Sequence, residues 1–259
     1  MKLDDVKKLH QKRYREEFGY FLVEGAHLVL ELQKAAAQNP SLRNCELYVT
    51  SGYEHWRSPF TTHLISNIQM AGLAETKTPQ GIVALVPLLP LTAAHPTTRH
   101  ESERAIYLHE IQDPGNLGTI LRTLAWFGHS RCLLSPGSVD PYNSKVVRAS
   151  TGAIFHVPIE IDVELAALAT RFPRIACMDM QGGSLQSPHF RQFDCYLFGN
   201  EARGVPREQL ATLDITPFTI AGSGAIESLN LASAVNMCVY ELNRERVNLR
   251  APTVPGDVP

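Results

Sequence analysis

Residues Ile111–Gly128 read IQDPGNLGTILRTLAWFG, and this stretch decides how the second half of the chain folds. It follows an apolar run, RAIYLHEI, that is typical of a buried strand. Asp-Pro-Gly-Asn is typical of a tight turn, and the apolar spacing after it predicts a helix over Thr119–Phe127. A strand, a turn and a helix in this order direct backbone N–H groups into a cleft at the end of a parallel sheet.

The rest of the second half repeats this alternation. Strands are predicted at RAIYLHEI, RCLLS, IFHVPI, RIACMDM, CYLFG and PFTIAG. Helices are predicted at Thr119–Phe127, Ser144–Ser150, Val163–Arg171, Arg207–Leu213 and Ser228–Arg246. This order predicts an α/β fold with a parallel sheet covered on both faces, and a ligand site at the carboxyl ends of the strands.

The first half predicts a small αβ domain. It opens with a helix and continues through YFLVEG, the helical stretch AHLVLELQKAAAQ, and predicted strands at CELYVT, FTTHLISN and GIVALVPL. A stretch rich in proline and threonine then shows no period and is interpreted as a linker. We therefore divide the chain into residues 1–88, a linker over 89–104, and residues 105–259.

Composition excludes several classes of protein. The 259 residues are 44% hydrophobic and 19% charged, which is typical of a folded globular chain. The five cysteines form no C-x-x-C pair and the histidines are scattered, so we expect no metal. Neither a membrane span nor an apolar signal segment is present in the pattern, and a cytoplasmic location is expected.

A cluster of cations lies near the beginning of the chain, although the net charge is only −2. It is called the basic cluster here and consists of Lys7, Lys8, Lys12, Arg13 and Arg15. One interpretation is a phosphate-binding surface, and the other is a solvated helix face.

Three loops at predicted strand ends carry the polar residues of interest. In the first, DPGNLGTILRT, Asn116 can cap the coming helix and Arg122 lies within it. In the second, LFGNEARGVP, Gly199 and Gly204 allow close approach of a ligand, and Glu201 lies between them. Each loop taken alone is also consistent with an ordinary turn or a capped helix that bears a surface charge.

The third loop is IAGSGAIESLNLASAVN, in which Ser228 or Asn230 can cap the last helix. GSGAIE begins like the dinucleotide fingerprint G-x-G-x-x-G but has Glu227 at the position of the third glycine. The chain also has no G-x-x-x-x-G-K-[ST] loop and no G-x-S-x-G motif. Dinucleotide binding, nucleotide hydrolysis and serine hydrolase chemistry are therefore not indicated.

In this order, the three loops resemble the three motifs of the SpoU-type (TrmH-like) branch of the SPOUT methyltransferases. Asn116, Gly118 and Arg122 match motif one, Glu201 in FGNEARGVP matches motif two, and Ser228 with Asn230 match motif three. FLVEGAHLVLEL and LAETKTPQGIVALV resemble the small αβ RNA-binding domain that precedes the catalytic domain in many members. The resemblance covers nearly the whole chain.

The resemblance implies methyl transfer from S-adenosylmethionine to a ribose 2′-hydroxyl of RNA, on a parallel sheet with a C-terminal trefoil knot. It further implies a homodimer formed through the C-terminal domain, with the active site completed across the interface. The cofactor is expected on backbone groups near Gly199, Ile220 and Leu229, with Glu201 and Gly204 in the same loops.

The resemblance places five residues in the catalytic site. They are Arg122, Asn116, Glu201, Ser228 and Asn230. Arg122 is expected beside the reacting hydroxyl, as a phosphate and alkoxide ligand or as a perturbed base. Asn116 is expected to orient the ribose or to hold Arg122, and Glu201 to order the cofactor loop or to pair with Arg122.

The two-domain layout favours ribosomal RNA over tRNA as the substrate. A tRNA 2′-O-methyltransferase, a non-catalytic RNA-binding protein and a base methyltransferase on the same fold remain alternatives.

Overall fold

The computed structural model describes residues 1–89 and 103–247. Its first part is a four-stranded sheet with strand order β1-β4-β2-β3, in which only the β2–β3 pair is parallel. The strands are β1 Tyr20–Glu24, β2 Glu46–Val49, β3 Thr61–Leu64 and β4 Ile82–Pro87. The helices are α1 Leu3–Lys8, α2 Lys12–Phe18, α3 Ala26–Gln38 and α4 Asn67–Leu73.

The second part is a six-stranded sheet in which every neighbouring pair is parallel. Its strands are β5 Arg104–Leu108, β6 Ser130–Leu134, β7 Ile159–Glu160, β8 Ile175–Ser184, β9 Cys195–Phe198 and β10 Ile215–Thr219. Its helices are α5 Pro114–Phe127, α6 Ser144–Ser150, α7 Ala167–Arg171, α8 Arg207–Leu210 and α9 Leu231–Val247. The predicted α/β class and parallel sheet are confirmed.

Alternation within β5 shows why the sheet has two covered faces. Ile106 and Leu108 lie in the same core cluster as the apolar side of α5, whereas Ala105 and Tyr107 lie in a second cluster with Leu168 of α7. A strand buried on both faces is apolar along its buried length, as residues 105–108 (AIYL) are.

Strand order places a candidate site. The order is β10-β8-β9-β5-β6-β7, so the chain proceeds outward from β5 to β7 and then continues on the other side of β5. The boundary between β5 and β9 is therefore the point where the winding reverses. In open parallel sheets the crevice at the carboxyl ends of the strands on either side of such a point is where ligands bind.

Several predicted elements differ from the structure. The predicted strand IFHVPI is instead a short 3-10 turn at Ala153–Phe155 followed by the two-residue strand β7. A buried apolar run has the same pattern in either conformation, because both conceal every side chain. The predicted helix over Val163–Arg171 is shortened to α7, and the predicted helix over Arg207–Leu213 is shortened to α8.

The first part also departs from prediction. Its opening helix is two short helices, α1 and α2. The predicted strand FTTHLISN ends at Leu64 because Ser66 forms a capping box with Gln69 and starts α4, a helix that was not predicted.

The cap of α5 was assigned to the wrong residue. The helix begins at Pro114 rather than Thr119, and its N-cap is Asp113, whose Oδ1 accepts a hydrogen bond from the backbone N–H of Asn116 at 2.7 Å. Proline at the first helical position is favourable because its missing N–H would have no partner there. The Asn116 side chain is consequently available for other contacts.

The two parts of the chain share one buried apolar cluster, which includes Phe21 and Ile106. Most of the predicted linker, residues 90–102, lies outside the described residues, and the proposed domain boundaries stay a prediction. The trefoil knot likewise stays a prediction.

No helix in the described residues is long and apolar enough to cross a membrane, and no group of metal-binding side chains occurs among them.

Candidate active site

Three predicted residues from three different loops meet at the β5–β9 boundary. Nδ2 of Asn116 donates to Oε1 of Glu201 at 3.3 Å, and Nδ2 of Asn230 donates to Oδ1 of Asn116 at 2.9 Å. Asn116 lies in the first turn of α5, Glu201 follows β9, and Asn230 immediately precedes α9. The amide of Asn116 thus joins all three loops through its side chain.

Glu201 fixes the segment that leads into α5. Its carboxylate accepts hydrogen bonds from the backbone N–H of Gln112 at 3.2 Å and of Asp113 at 3.1 Å. A carboxylate that accepts backbone N–H groups forms charge-assisted hydrogen bonds, which are stronger than neutral ones. The alternative that Glu201 pairs with Arg122 is not observed among the described residues.

The loop after β9 is closed by its own backbone. Asn200 and Gly204 exchange two backbone hydrogen bonds, each 2.9 Å long. A Cβ at Gly199 would overlap the backbone of Gly204, so glycine is required there for the loop to close. Gly204 has φ +66°, a conformation that also favours glycine.

Asn200, which sequence reasoning missed, organises this loop from inside. It is buried, its Oδ1 accepts from the N–H of Ala202 and Arg203, and its Nδ2 donates to the Glu110 carbonyl at 2.7 Å. The sequence does indicate this role, since the side chain of an asparagine after a buried strand often forms a hydrogen bond with the backbone two residues further along the chain.

The segment after β5 is braced from the opposite side by the loop after β6, again through residues that were not predicted. The N–H of Glu110 donates to Oγ of Ser135 at 2.6 Å. The side-chain amide of Gln112 donates to the carbonyls of Glu110 and Gly137 at 3.0 and 2.8 Å. No local sequence signal marks these contacts.

The third loop is open. Ile220 is half-buried at the end of β10, and Ser228 and Leu229 are exposed. The main-chain groups of residues 221–229 form no main-chain hydrogen bond with the described residues. Asn230 caps α9, because its Oδ1 accepts from the N–H of Ser233 at 3.3 Å. Of the two predicted caps, Asn230 is therefore confirmed, and Ser228 forms no hydrogen bond with the described residues.

Arg122 is on α5 but outside the Asn116–Glu201–Asn230 contacts. Its side chain is exposed and forms no hydrogen bond or ion pair with the described residues. The alternative that Asn116 holds Arg122 is not observed. Within one chain, the structure thus brings together three of the five predicted catalytic residues, and leaves Arg122 and Ser228 facing outward.

Gly118, the remaining motif-one residue, has a packing role. A Cβ at this position would lie 2.8 Å from the main-chain carbonyl carbon of Ala149 in α6. Glycine therefore lets α5 and α6 approach more closely than any other residue would. The orientation of α5, and with it of Arg122, depends on this close contact.

The residues of the basic cluster do not share one environment. Lys7, Lys8 and Lys12 pair with acids of their own helices. Arg15 is only 6% exposed and contacts Asp140 of the second part. Its assignment to a phosphate-binding surface was wrong, because a partner 125 residues away in sequence buries it.

Two family models match the chain. The SpoU rRNA Methylase family matches residues 103–240, and the MRM3-like substrate binding domain matches residues 2–84. The three loops described above lie within the first match.

Similar proteins cover almost the whole chain. The 23S rRNA (guanosine(2553)-2′-O)-methyltransferase RlmP of Bacillus subtilis is 30% identical over 93% of this chain and 95% of its own length. Two solved structures share the fold. The AdoMet-bound rRNA methyltransferase from Sinorhizobium meliloti has a TM-score of 0.77 and 24% identity, and the match covers 94% of both chains. The AdoMet complex of the SpoU methyltransferase AviRb from Streptomyces viridochromogenes has a TM-score of 0.78 and 22% identity, and the match covers 95% of this chain and 97% of AviRb.

Proposed function

This chain belongs to the SpoU rRNA methylase family, and we propose that it transfers a methyl group from S-adenosylmethionine to a ribose 2′-hydroxyl of ribosomal RNA. The observation that carries the proposal is the contact of Asn116, Glu201 and Asn230. Three loops distant in sequence converge on one amide at the strand boundary where ligands bind in this type of sheet.

The residues present fit S-adenosylmethionine. Within residues 221–229 the N–H of Ala225 donates to Oγ of Ser223, and the other main-chain groups can hydrogen-bond an adenine and an amino-acid moiety. Gly199 and Gly204 keep the neighbouring loop free of side-chain bulk. Ile220 and Leu229 supply apolar surface at the two ends of the segment. We assign the cofactor to these residues, with Glu201 ordering the loop opposite.

The cofactor supplies a methyl group activated by a sulfonium, and the protein must supply position and charge. Holding the hydroxyl in line with the methyl group can contribute on the order of 7–11 kcal/mol. Asn116 is fixed by its two neighbours and orients the ribose. Arg122 binds the adjacent phosphate and stabilises the alkoxide that develops as the hydroxyl proton passes to water, because a guanidinium stays protonated in proteins and does not take that proton itself.

Ribosomal RNA is favoured over tRNA because the similarity to an rRNA 2′-O-methyltransferase extends over both parts of the chain. Residues 2–84 match a substrate-binding domain, and we assign RNA recognition to this part. Lys7, Lys8, Lys12 and Arg13 remain candidates for phosphate contacts there, since their side chains reach the surface.

We further propose that the protein is a homodimer that joins through the second part. α5 and α9 contact each other through Thr123 and Asn236 and through the rings of Phe127 and Tyr240. Beside this seam, Trp126 is 84% exposed and Met237 and Tyr240 are about half exposed. An apolar patch of this kind is typical of an interface, and it adjoins Arg122, which a partner subunit can bring to the Asn116 contacts.

A cytoplasmic location is supported by the five cysteines, all of which are buried and none of which forms a disulfide among the described residues.

The proposal is tested by incubating the purified protein with rRNA from a strain that lacks the gene and with isotopically labelled S-adenosylmethionine. We expect incorporation of one methyl group at one nucleotide, with protection of its 3′ phosphodiester from nuclease. Calorimetric titration with S-adenosylmethionine separates an enzyme from a non-catalytic RNA-binding protein. Cofactor binding without labelling of rRNA, but with labelling of tRNA, would change the substrate assignment only.

A further inference from the structure

Arg15 joins the two parts of the chain through an ion pair in which Arg15 is buried and Asp140 is partly buried. Its Nε donates to Oδ2 of Asp140 at 3.1 Å, and its Nη2 donates to the same oxygen. Its Nη1 donates to the carbonyls of Leu9 and His10 at 2.8 and 2.9 Å. Arginine presents its donors in a rigid planar fork, so a guanidinium held by Leu9 and His10 of the first part directs its remaining donors at Asp140 of the second part.

A second polar contact lies beside the first. The carboxylate of Glu75 accepts from the hydroxyl of Ser144, lies 3.9 Å from Nη1 of Arg148, and lies 3.1 Å from Nδ1 of His10. Glu75 and His10 belong to the first part of the chain, and Ser144 and Arg148 belong to α6. The orientation of the first part is therefore determined at two separate points.

Apolar packing alone would not determine this orientation. Phe21 and Tyr142 pack across the same boundary with ring centroids 4.7 Å apart, and the Tyr142 hydroxyl donates to the Leu89 carbonyl at 3.1 Å. An apolar contact is non-directional and tolerates sliding, whereas a buried charge that loses its partner is strongly unfavourable. The ion pair thus selects one arrangement among those that the apolar contact allows.

Asp140 is also connected to the active site. It belongs to the loop over residues 135–143, here called the bracing loop. The N–H of Val139 donates to the Ile111 carbonyl at 2.8 Å, and the Gly137 carbonyl accepts from Gln112. The bracing loop leads into α6, which packs against α5 at Gly118. A short series of direct contacts therefore connects Arg15 to the helix that carries Arg122.

We propose that Arg15, Asp140 and Glu75 are positioning residues that hold the RNA-binding part at a fixed distance from Arg122, and that this distance determines which nucleotide of the bound rRNA is methylated. The inference rests on the proposed function, because it needs a bound RNA and a methyl acceptor. It adds that substrate selection depends on the junction between the two parts as well as on the surface that contacts the RNA.

The test compares Asp140→Asn and Glu75→Gln with Asp162→Asn in the full-length protein. Asp162 is exposed and forms no ion pair among the described residues, and its φ of +55° is tolerated by asparagine, so it is a matched control for loss of one negative charge. Measured quantities are kcat and KM for an rRNA fragment, the Kd for S-adenosylmethionine, and the position of the methyl group. Circular dichroism melting verifies folding.

We expect Asp140→Asn to lower kcat/KM for the rRNA fragment about tenfold, because an unpaired Arg15 is left at the junction. We expect part of the methylation to move to neighbouring nucleotides, and the Kd for S-adenosylmethionine to stay unchanged. A purely structural role would lower stability without altering the methylated position. Glu75→Gln should have the same effect in weaker form, and its partly exposed side chain makes it the deciding variant if Asp140→Asn does not fold.

The inference is overturned if both variants methylate only the nucleotide that Asp162→Asn methylates while the wild type is active, whatever their KM for RNA. If the wild type methylates no rRNA, the proposed function fails instead. The two failures are therefore distinguishable in one set of measurements.

Discussion

Nδ2 of Asn230 donates a hydrogen bond to Oδ1 of Asn116 at 2.9 Å, although 114 residues separate the two asparagines. The chain reaches Asn230 after β10, at the edge of the sheet, and β8 and β9 lie between β10 and β5. Residues 220–230 must therefore return across two strands to reach α5. This return brings Asn230 to Asn116, whose side chain also contacts Glu201.

Substitution of Asn230 separates its two roles. Asn230→Ser keeps an oxygen that can cap α9 but removes the Nδ2 group that donates to Asn116, so we expect near wild-type stability and about tenfold slower methylation. Asn230→Ala removes both, and should lower the free energy of unfolding by about 1 kcal/mol as well. Thermal melting and a methylation assay measure the two effects. Wild-type methylation by Asn230→Ser would show that the amide contact is not used.

Glu201→Gln tests the carboxylate that holds the segment before α5. Glutamine retains an acceptor oxygen but loses the charge that strengthens the bonds from the N–H groups of Gln112 and Asp113. We expect weaker S-adenosylmethionine binding by calorimetry and at least about tenfold slower methylation. Glu208→Gln, an exposed acid in α8, is the matched control. Equal behaviour of the two variants would exclude the role given to Glu201.

Local sequence predicted the parallel sheet and the three polar loops well, because buried parallel strands and βα turns leave strong local patterns. RAIYL and CYLF are apolar at every position or nearly so, which is how a strand buried on both faces must be. Glu201 was identified as a candidate because it follows a predicted buried strand, and Asn230 because it lies near the start of the last predicted helix. Their residue types and positions could therefore be predicted from the sequence alone, without information on which residues contact each other.

Strand order and the contacts between residues far apart in sequence could not be predicted in this way. Asn116 was interpreted as a cap because nothing nearby in sequence indicates that Glu201 and Asn230 both reach its side chain. Arg15 was grouped with neighbouring lysines because its partner, Asp140, lies 125 residues away. Such contacts depend on how elements assemble, and an isolated charge in a helix has the same local pattern whether it is later buried or exposed.

Arg122→Lys should slow methylation strongly without affecting folding. The side chain is exposed and has no partner among the described residues, so the free energy of unfolding should change by less than about 0.5 kcal/mol. A lysine cannot bind phosphate bidentately, and we expect methylation to fall by about 100-fold or more with unchanged S-adenosylmethionine affinity.

The control for Arg122 is Arg174→Lys, which changes an arginine paired with Asp194 at the opposite end of the sheet. If Arg122→Lys and Arg174→Lys methylate rRNA at equal rates, Arg122 does not act on the reacting hydroxyl.

Trp126→Asp tests the dimer. A carboxylate in the exposed patch of α5 and α9 would be buried without a partner on association, so the equilibrium should shift to monomer. Sedimentation velocity should show the monomer, and methylation should be lost although Asn116, Glu201 and Asn230 are unchanged. Ile68→Asp changes an equally exposed apolar residue of α4 and should leave the oligomeric state as it is. An active monomeric Trp126→Asp protein would show that one chain contains the complete site.

His109 predicts a dependence of stability on pH. It follows β5, its Nδ1 is buried without a hydrogen bond to the described residues, and burial lowers its pKa. Glu110 opposes this shift and Arg203 adds to it. Because the unfolded chain binds a proton near pH 6.5 and the folded chain resists it, the contribution of neutral His109 to stability is present above about pH 6.5 and is lost as the pH falls below it.

The melting temperature of His109→Gln should therefore decrease less between pH 7 and pH 5 than that of the wild type. His55→Gln, which removes an exposed histidine, is measured beside it as the control variant. Parallel curves for the wild type and His109→Gln would show that His109 takes up its proton equally well in the folded protein.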